Sequence, residues 1–184
     1  MTGNEAVFAL LKVFGDLEIP HMLVGSYSSN VYGVPRSTKD ADLVVQISSE
    51  QMALLQVNLP ESLKMEDQSF FEMVTATRKE LIHVDGSNFQ IELFHLSEDE
   101  FDQERFSNRV ECEYAEGVST FLPRAEDVIV QKLRWAVGAK RPKDFDDVVS
   151  ILRVQDELDF DHIESWCGKH GSLEILAVAR EEAK

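Results

Sequence analysis

Residues His21 to Ile47 read HMLVGSYSSNVYGVPRSTKDADLVVQI and carry the most informative pattern of the chain. A short apolar strand ends at a Gly25-Ser26 turn, which leads into a short polar helix. A second strand then begins with Asp40 and Asp42 and continues into an apolar run. Because successive side chains of a strand point to opposite faces, the two carboxylates share one face, about 6 to 7 Å apart.

Two carboxylates on one strand face repel each other unless a cation lies between them. Mg²⁺ is a hard cation that binds carboxylate oxygens together with substrate phosphates. A third carboxylate, Glu92, lies in the otherwise apolar run FQIELFHL, where an unpaired buried glutamate would be costly. If its strand neighbours that of Asp40 and Asp42, the sequence predicts a three-carboxylate metal site. The simpler alternative is that these acids are strand-edge residues facing solvent.

The Gly25-Ser26 turn is a candidate phosphate-binding element. Glycine lets the backbone approach a ligand closely, and the free N–H groups at a helix N-terminus bind anions. By itself this signal is weak, but the later Asp-x-Asp and strand glutamate strengthen it.

The periodicity predicts an α/β (α+β) fold with a mixed β-sheet, flanking helices and a C-terminal helical layer. We expect an α/β core over residues 1–122 and a helical region over 123–184, packed together as one compact unit. Two hairpins are predicted, ELIHVDGSNFQIELFHL turning at DGSN and RVECEYAEGVSTFL turning at Glu116-Gly117. Helices are predicted over about 3–17, after the serines of SSEQMALLQVNL and around Gln68 to Thr77. Further helices are expected to begin near Pro123 and at the caps Asp144, Asp161 and Ser172.

The composition excludes several classes of protein. With 18 basic and 34 acidic residues the formal net charge is −16, which argues against a broad nucleic-acid-binding surface. Two widely separated cysteines give no disulfide framework and no zinc signature. The sequence contains no apolar stretch of bilayer length and no signal peptide, so we expect a cytoplasmic protein without a membrane partner. Residues 132–143 contain five lysines and arginines and no acid, which fits either an anion site or a solvated helix end.

Taken together, VGSYSSNVYGVPRSTKDADLVV resembles the polymerase-β-like nucleotidyltransferase superfamily. The small bacterial members related to abortive-infection toxins and the antibiotic nucleotidyltransferases are the most similar. The residues that match the family motifs are Gly25, Ser26, Arg36, Thr38, Asp40, Asp42 and Glu92, followed by Lys132, Lys143, Asp144 and Asp147 in a Lys … Lys-Asp-x-x-Asp pattern. The resemblance spans about residues 20 to 155. One departure is that glutamate stands at position 92, where aspartate is more usual.

The resemblance implies a metal-dependent transfer of NMP from an NTP to an acceptor hydroxyl, with release of pyrophosphate. Two Mg²⁺ or Mn²⁺ ions would be held by Asp40, Asp42 and Glu92. The residues expected to bind the nucleotide phosphates are Gly25, Ser26, Arg36, Thr38 and Lys132. The acceptor, a small molecule, a protein or an RNA, is not identified by the sequence.

Several alternatives stay open at this stage. Asp144 and Asp147 also suit a helix start, where acids favour the dipole, and Arg36 and Thr38 also suit the shaping of a loop. Lys132 is equally compatible with a surface helix. The chain could be a non-catalytic member of the fold that binds a nucleotide or an antitoxin-like protein, as one component of a toxin-antitoxin pair. An Asp-x-Asp glycosyltransferase is less favoured, because such catalytic domains need a longer chain.

Overall fold

The computed structural model describes residues 1–72, 77–138 and 142–184. The strands are β1 His21–Val24, β2 Asp40–Val45, β3 Leu63–Met65, β4 Phe70–Glu72, β5 Thr77–Val84, β6 Gln90–His95, β7 Val110–Ala115 and β8 Val118–Leu122. The helices are α1 Gly3–Asp16, α2 Gly25–Tyr32, α3 Ser49–Asn58, α4 Glu100–Ser107, α5 Ala125–Gly138, α6 Pro142–Val154, α7 Phe160–His170 and α8 Leu173–Glu182. The predicted mixed-sheet α+β fold with a C-terminal helical region is confirmed.

The main sheet has the order β1-β2-β6-β5-β3, with β4 also paired to β5. Strands β2 and β6 are parallel, and the other pairs are antiparallel. Both predicted hairpins are confirmed: β5 pairs with β6 around the DGSN turn, and β7 pairs with β8 to form a separate two-stranded sheet. Adjacent parallel pairing of β2 and β6 brings the strand of Asp40 and Asp42 beside that of Glu92.

The two faces of the main sheet differ in what covers them. Alternate residues of β1, β2 and β6, among them Leu23, Leu43 and Ile91, pack against α1 and form the principal hydrophobic core. On the opposite face Val44 packs against Phe106 of α4. The carboxylate-bearing residues of β2 belong to this second face, because they alternate with the core residues.

The C-terminal helices form a second core, which contains Ile129, Val148, Ile163 and Leu176 from four different helices. This helical region contacts α2 through α5 and α6. The hydroxyl of Tyr32, at the end of α2, donates to the carbonyl of Pro123, at 2.8 Å. The contacts place α5 and α6 directly beside the Gly25-Ser26 turn. The division at residue 122 stays a prediction. No helix in the described ranges is long and apolar enough to cross a membrane.

Some local predictions were wrong. The helix predicted around Gln68 to Thr77 is absent where the structure describes the segment: Phe70–Glu72 forms strand β4, because pairing with β5 satisfies its backbone groups, while residues 73–76 lie outside the described residues. Helix α7 is capped by Asp159 and not by Asp161. Asp144 lies inside the first turn of α6, which begins at Pro142.

Candidate functional site

The site lies where the Gly25-Ser26 turn meets the first residues of β2. In the sheet, Asp42 is the register partner of Val24 on one side and of Glu92 on the other. Register partners of adjacent strands point to the same face, so the sheet aims Asp42 and Glu92 in the same direction. The two strands are therefore neighbours, as the three-carboxylate hypothesis requires. The roles of these acids in metal binding stay predictions.

The turn between β1 and α2 requires glycine at position 25. Its φ of +61° lies in the left-handed region, and a Cβ atom at this position would lie 2.0 Å from Oδ2 of Asp42. A side chain at position 25 would thus require Asp42 to move. Helix α2 begins here, and its first turn has no side-chain cap. The N-terminal N–H groups of α2 are therefore available beside the Asp42 carboxylate, as an anion-binding element requires.

The ionisation of Asp42 is strongly affected by its surroundings in the site. Burial, followed by the nearby charges of Asp40 and Glu92, raises the pKa of Asp42 to about 7, although Lys132 and Lys79 act in the opposite direction. Within the part of the chain that the structure describes, its carboxylate has no hydrogen-bond or ion-pair partner. A largely desolvated carboxylate without a partner favours either a proton or a metal ion.

Asp40 is more exposed than Asp42 and has a local partner. The hydroxyl of Thr38 donates to Oδ1 of Asp40 over 2.6 Å, and also to the Asp40 carbonyl. Thr38 therefore fixes the orientation of one carboxylate oxygen and leaves the other open to a ligand.

Glu92 has a different environment from the aspartate pair. Its Oε2 lies 2.7 Å from Nζ of Lys79, a residue of the neighbouring strand β5. The described residues contain no group of three or more acidic, histidine or cysteine side chains close enough together to hold a metal ion. The three carboxylates share one region of the sheet, but Glu92 is engaged by Lys79 and not gathered with the other two.

The basic side of the site is a network of ion pairs. Arg36 binds Asp147 through two hydrogen bonds of 2.7 Å, and it also donates to Oγ of Ser26 over 3.1 Å. Lys132 is buried and lies 3.1 Å from Asp144 and 2.7 Å from Asp147. Burial opposes the ionisation of Asp147, yet the Arg36 and Lys132 contacts prevail and lower its pKa. The two cations and two acids therefore form a charge-balanced support behind the turn.

A cavity of about 630 Å³ opens between the turn, the start of β2 and the helices α5 and α6. Its lining includes nine of the residues predicted from the sequence, namely Gly25, Ser26, Arg36, Thr38, Asp40, Asp42, Lys132, Lys143 and Asp144. Asp147 lies behind this wall through its pairs with Arg36 and Lys132, and Glu92 is not part of the lining. Lys39 and Trp135 also line the cavity, and no sequence motif marks either residue.

The residues present fit a divalent cation. Thr38 engages one carboxylate oxygen of Asp40, and burial together with the charges of Asp40 and Glu92 raises the pKa of the Asp42 carboxyl. Oxygen ligands of this type are the ones that Mg²⁺ and Mn²⁺ take in proteins. Asp40 and Asp42 are therefore candidate ligands for a divalent ion beside the N-terminus of α2, and metal binding at this site stays a prediction.

Comparison with solved structures identifies the fold of this chain. A nucleotidyltransferase-like protein of Paracoccidioides brasiliensis superposes with a TM-score of 0.60 over 98% of this chain and 92% of its own, at 13% identity. The chain has the polymerase-β-like nucleotidyltransferase fold. The antibiotic-resistance factor ANT(2″)-Ia, in complex with adenylyl-2″-tobramycin, matches with a TM-score of 0.55 at 13% identity, covering 100% of this chain and 97% of that one.

A third similar structure is JHP933 of Helicobacter pylori, with a TM-score of 0.52 at 14% identity, covering 97% of this chain and 88% of that one. No family model and no curated protein matches the sequence. At these identities the likeness establishes the nucleotidyltransferase fold, which the sequence resemblance predicted.

Proposed function

We propose that the protein is a metal-dependent nucleotidyltransferase, which transfers NMP from a nucleoside triphosphate to an acceptor hydroxyl. One observation supports this above the others: the Asp42 carboxylate, which has no hydrogen-bond or ion-pair partner among the described residues, lies against the backbone of Gly25 at the N-terminus of α2, in the wall of the cavity. A metal ligand and an anion-binding terminus in contact are what a metal-nucleotide complex requires.

Asp40 and Asp42 would hold Mg²⁺ or Mn²⁺, which supplies charge neutralisation and Lewis-acid activation at the phosphates when bound. The N–H groups at Gly25 and Ser26 would bind the β- and γ-phosphates. Arg36 positions Ser26 through its hydrogen bond and adds positive charge to the same wall.

In the proposed reaction the acceptor oxygen attacks the α-phosphorus in line. A new oxygen–phosphorus bond forms, the bond from the α-phosphorus to the oxygen bridging to the β-phosphate breaks, and pyrophosphate leaves. The hydroxyl proton is released to solvent or to a nearby base. Lys132 contributes a fixed positive charge close to the phosphates, because its ion pairs hold the ammonium group in the cavity wall.

The acceptor class, the base of the nucleotide and a protein partner of antitoxin type are parts of this proposal that the fold does not decide. ANT(2″)-Ia, with its adenylylated tobramycin, shows that a protein of this fold can carry a small-molecule product. A non-catalytic nucleotide-binding or partner-binding protein is the second candidate. It would share the binding site but yield no transferred nucleotide.

Thermal unfolding tests the binding part of this proposal. A nucleoside triphosphate with Mg²⁺ or Mn²⁺ should raise the Tm of the native protein, because a ligand bound only to the folded state stabilises it. The double variant Asp40→Asn/Asp42→Asn should remain folded and lose the shift. Absence of any shift with all four triphosphates would refute the proposal, and a shift with UDP-sugars alone would instead favour glycosyl transfer.

A further inference from the structure

Lys79 is a residue of the site that no sequence motif marks. It lies on β5, where its register partner is Phe94, and Glu92 is two residues before Phe94 on the adjacent strand. Lys79 and Glu92 therefore belong to the same face of the sheet as Asp42. The ammonium group lies 2.7 Å from Oε2 of Glu92, and both side chains are only about one-fifth exposed, at 21% and 22%.

The lysine side chain is held in place by more than the ion pair. Its Nζ lies 5.5 Å from the centre of the Phe94 ring, within the range of a cation–π contact. Because Lys79 and Glu92 lie on paired strands, the sheet itself brings their charges together. The contact belongs to the fold and not to a mobile surface.

The charges of the site indicate what this pair does. The cations of Arg36 and Lys132 are already balanced by Asp144 and Asp147. On the Asp42 face of strands β2, β5 and β6, the charged side chains are the three carboxylates and the ammonium group of Lys79, which leave two net negative charges when all three acids are ionised. Lys39 and Lys143 also line the cavity, but they lie outside these strands. One divalent ion neutralises that charge, whereas two would leave the site positive before a nucleotide enters.

We propose that Lys79 is the built-in counter-ion of Glu92 and limits the nucleotide-free site to one divalent metal ion, held by Asp40 and Asp42. This inference rests on the proposed function, since it assumes the aspartate pair to be the metal site. Lys79 is thus a positioning residue. It keeps Glu92 away from the metal, and its ammonium group compensates the charge of Glu92 in place of a second metal ion.

Counting bound Mn²⁺ on the nucleotide-free protein, from the electron paramagnetic resonance signal of the free ion, tests this assignment. The wild type should bind one Mn²⁺ per chain. Lys79→Met keeps the length of the side chain but removes its charge, so it should free Glu92 and bind two. Lys79→Met/Glu92→Gln should return to one. Lys64→Met, at an exposed lysine of β3, is the matched control and should bind one.

Two Mn²⁺ ions on the wild type, or one on a folded Lys79→Met variant, would overturn the inference and leave the proposed function standing. Lys79→Gln provides a second variant if Lys79→Met fails to fold, with circular dichroism as the check. If the wild type binds no Mn²⁺ and matches Asp40→Asn/Asp42→Asn, the aspartate pair is not a metal site, and both the proposed function and the inference are wrong.

Discussion

Contact between one glycine and one carboxylate links the two halves of the candidate site. Gly25 occupies the left-handed region, and its missing side chain leaves room for Asp42. The sequence predicted a turn and a pair of strand carboxylates as separate features. Their contact could not be predicted, because it depends on the pairing of Val24 with Asp42 in the sheet.

Replacing Gly25 with alanine should damage the site more than the fold. We expect Gly25→Ala to lower the free energy of unfolding by about 1 to 2 kcal/mol from its positive φ, with a further loss from the displaced carboxylate. It should also abolish the Tm shift caused by Mn²⁺ with a nucleotide. Gly86→Ala is the matched control, because Gly86 also has a positive φ of +69° but no atom within 4 Å of its would-be Cβ. That variant should lose a similar stability through strain and keep the shift; equal losses of binding would contradict the role assigned to Gly25.

The raised pKa of Asp42 predicts how stability depends on pH when metal is removed. In the unfolded chain the carboxyl ionises near pH 4, whereas in the folded, metal-free protein its pKa is about 7. The folded state therefore binds the extra proton between these values, and the contribution of Asp42 to stability is complete below about pH 4 and is lost as the pH rises towards 7.

Urea unfolding in a chelator at pH 5, 6, 7 and 8 checks this dependence. The stability of Asp42→Asn relative to the wild type should rise with pH and level off above 7. Adding Mg²⁺ at pH 8 should restore stability to the wild type alone, because the metal binds the ionised carboxylate. Parallel pH curves for the two proteins would show that Asp42 titrates normally.

Helix α6 packs behind the cavity wall and stabilises the site. Asp147 accepts two hydrogen bonds from Arg36 and pairs with Lys132 of α5, so one acid ties α6 to the loop before β2 and to a second helix. The sequence marked all three residues, Arg36 and Lys132 as phosphate-binding candidates and Asp147 as a motif match without an assigned role. Their mutual pairing is a tertiary property that spacing along the chain does not reveal.

Substituting Asp147 with asparagine should therefore be strongly destabilising. It leaves Lys132 buried with fewer partners and Arg36 without its bidentate acid, at a cost of about 3 to 5 kcal/mol. The exposed neighbour Asp146 provides the control, and Asp146→Asn should change stability by no more than about 0.5 kcal/mol. Chemical denaturation measures both values. Comparable, small effects at the two positions would mean that the network does not stabilise the fold.

The strands and helices differed in how well the sequence predicted them. The hairpin turns and the strand–turn–helix unit at Gly25 were predicted because each has its own local signal. Helix α4 was not predicted because six of its eight residues are charged or polar, and its two phenylalanines, Phe101 and Phe106, are recognised as core residues only from their contacts in the folded chain. Strand β4 was mistaken for a helix because its pairing partner lies in β5. Lys79 was overlooked for the same reason, since its partner is set by strand register.

Both the sheet region and the C-terminal helical region contribute residues to the site. The sheet supplies the carboxylates, whereas α5 and α6 supply Lys132 and the far wall of the cavity. We therefore expect one cooperative unfolding transition. Tryptophan fluorescence reports the helical region, because Trp135 and Trp166 both lie there, and its urea midpoint should coincide with that of far-ultraviolet circular dichroism. Separate midpoints would show that residues 123–184 unfold independently.

Nucleotidyl transfer by this protein can be measured with labelled nucleotides. Each of the four nucleoside triphosphates, labelled at the α-phosphate, is incubated with Mg²⁺, the protein and a cell extract that supplies acceptors. We expect one or more of them to label an acceptor with release of unlabelled pyrophosphate, and we expect Asp40→Asn/Asp42→Asn to do neither. Nucleotide binding without any labelled product, or equal labelling by the double variant, would contradict it.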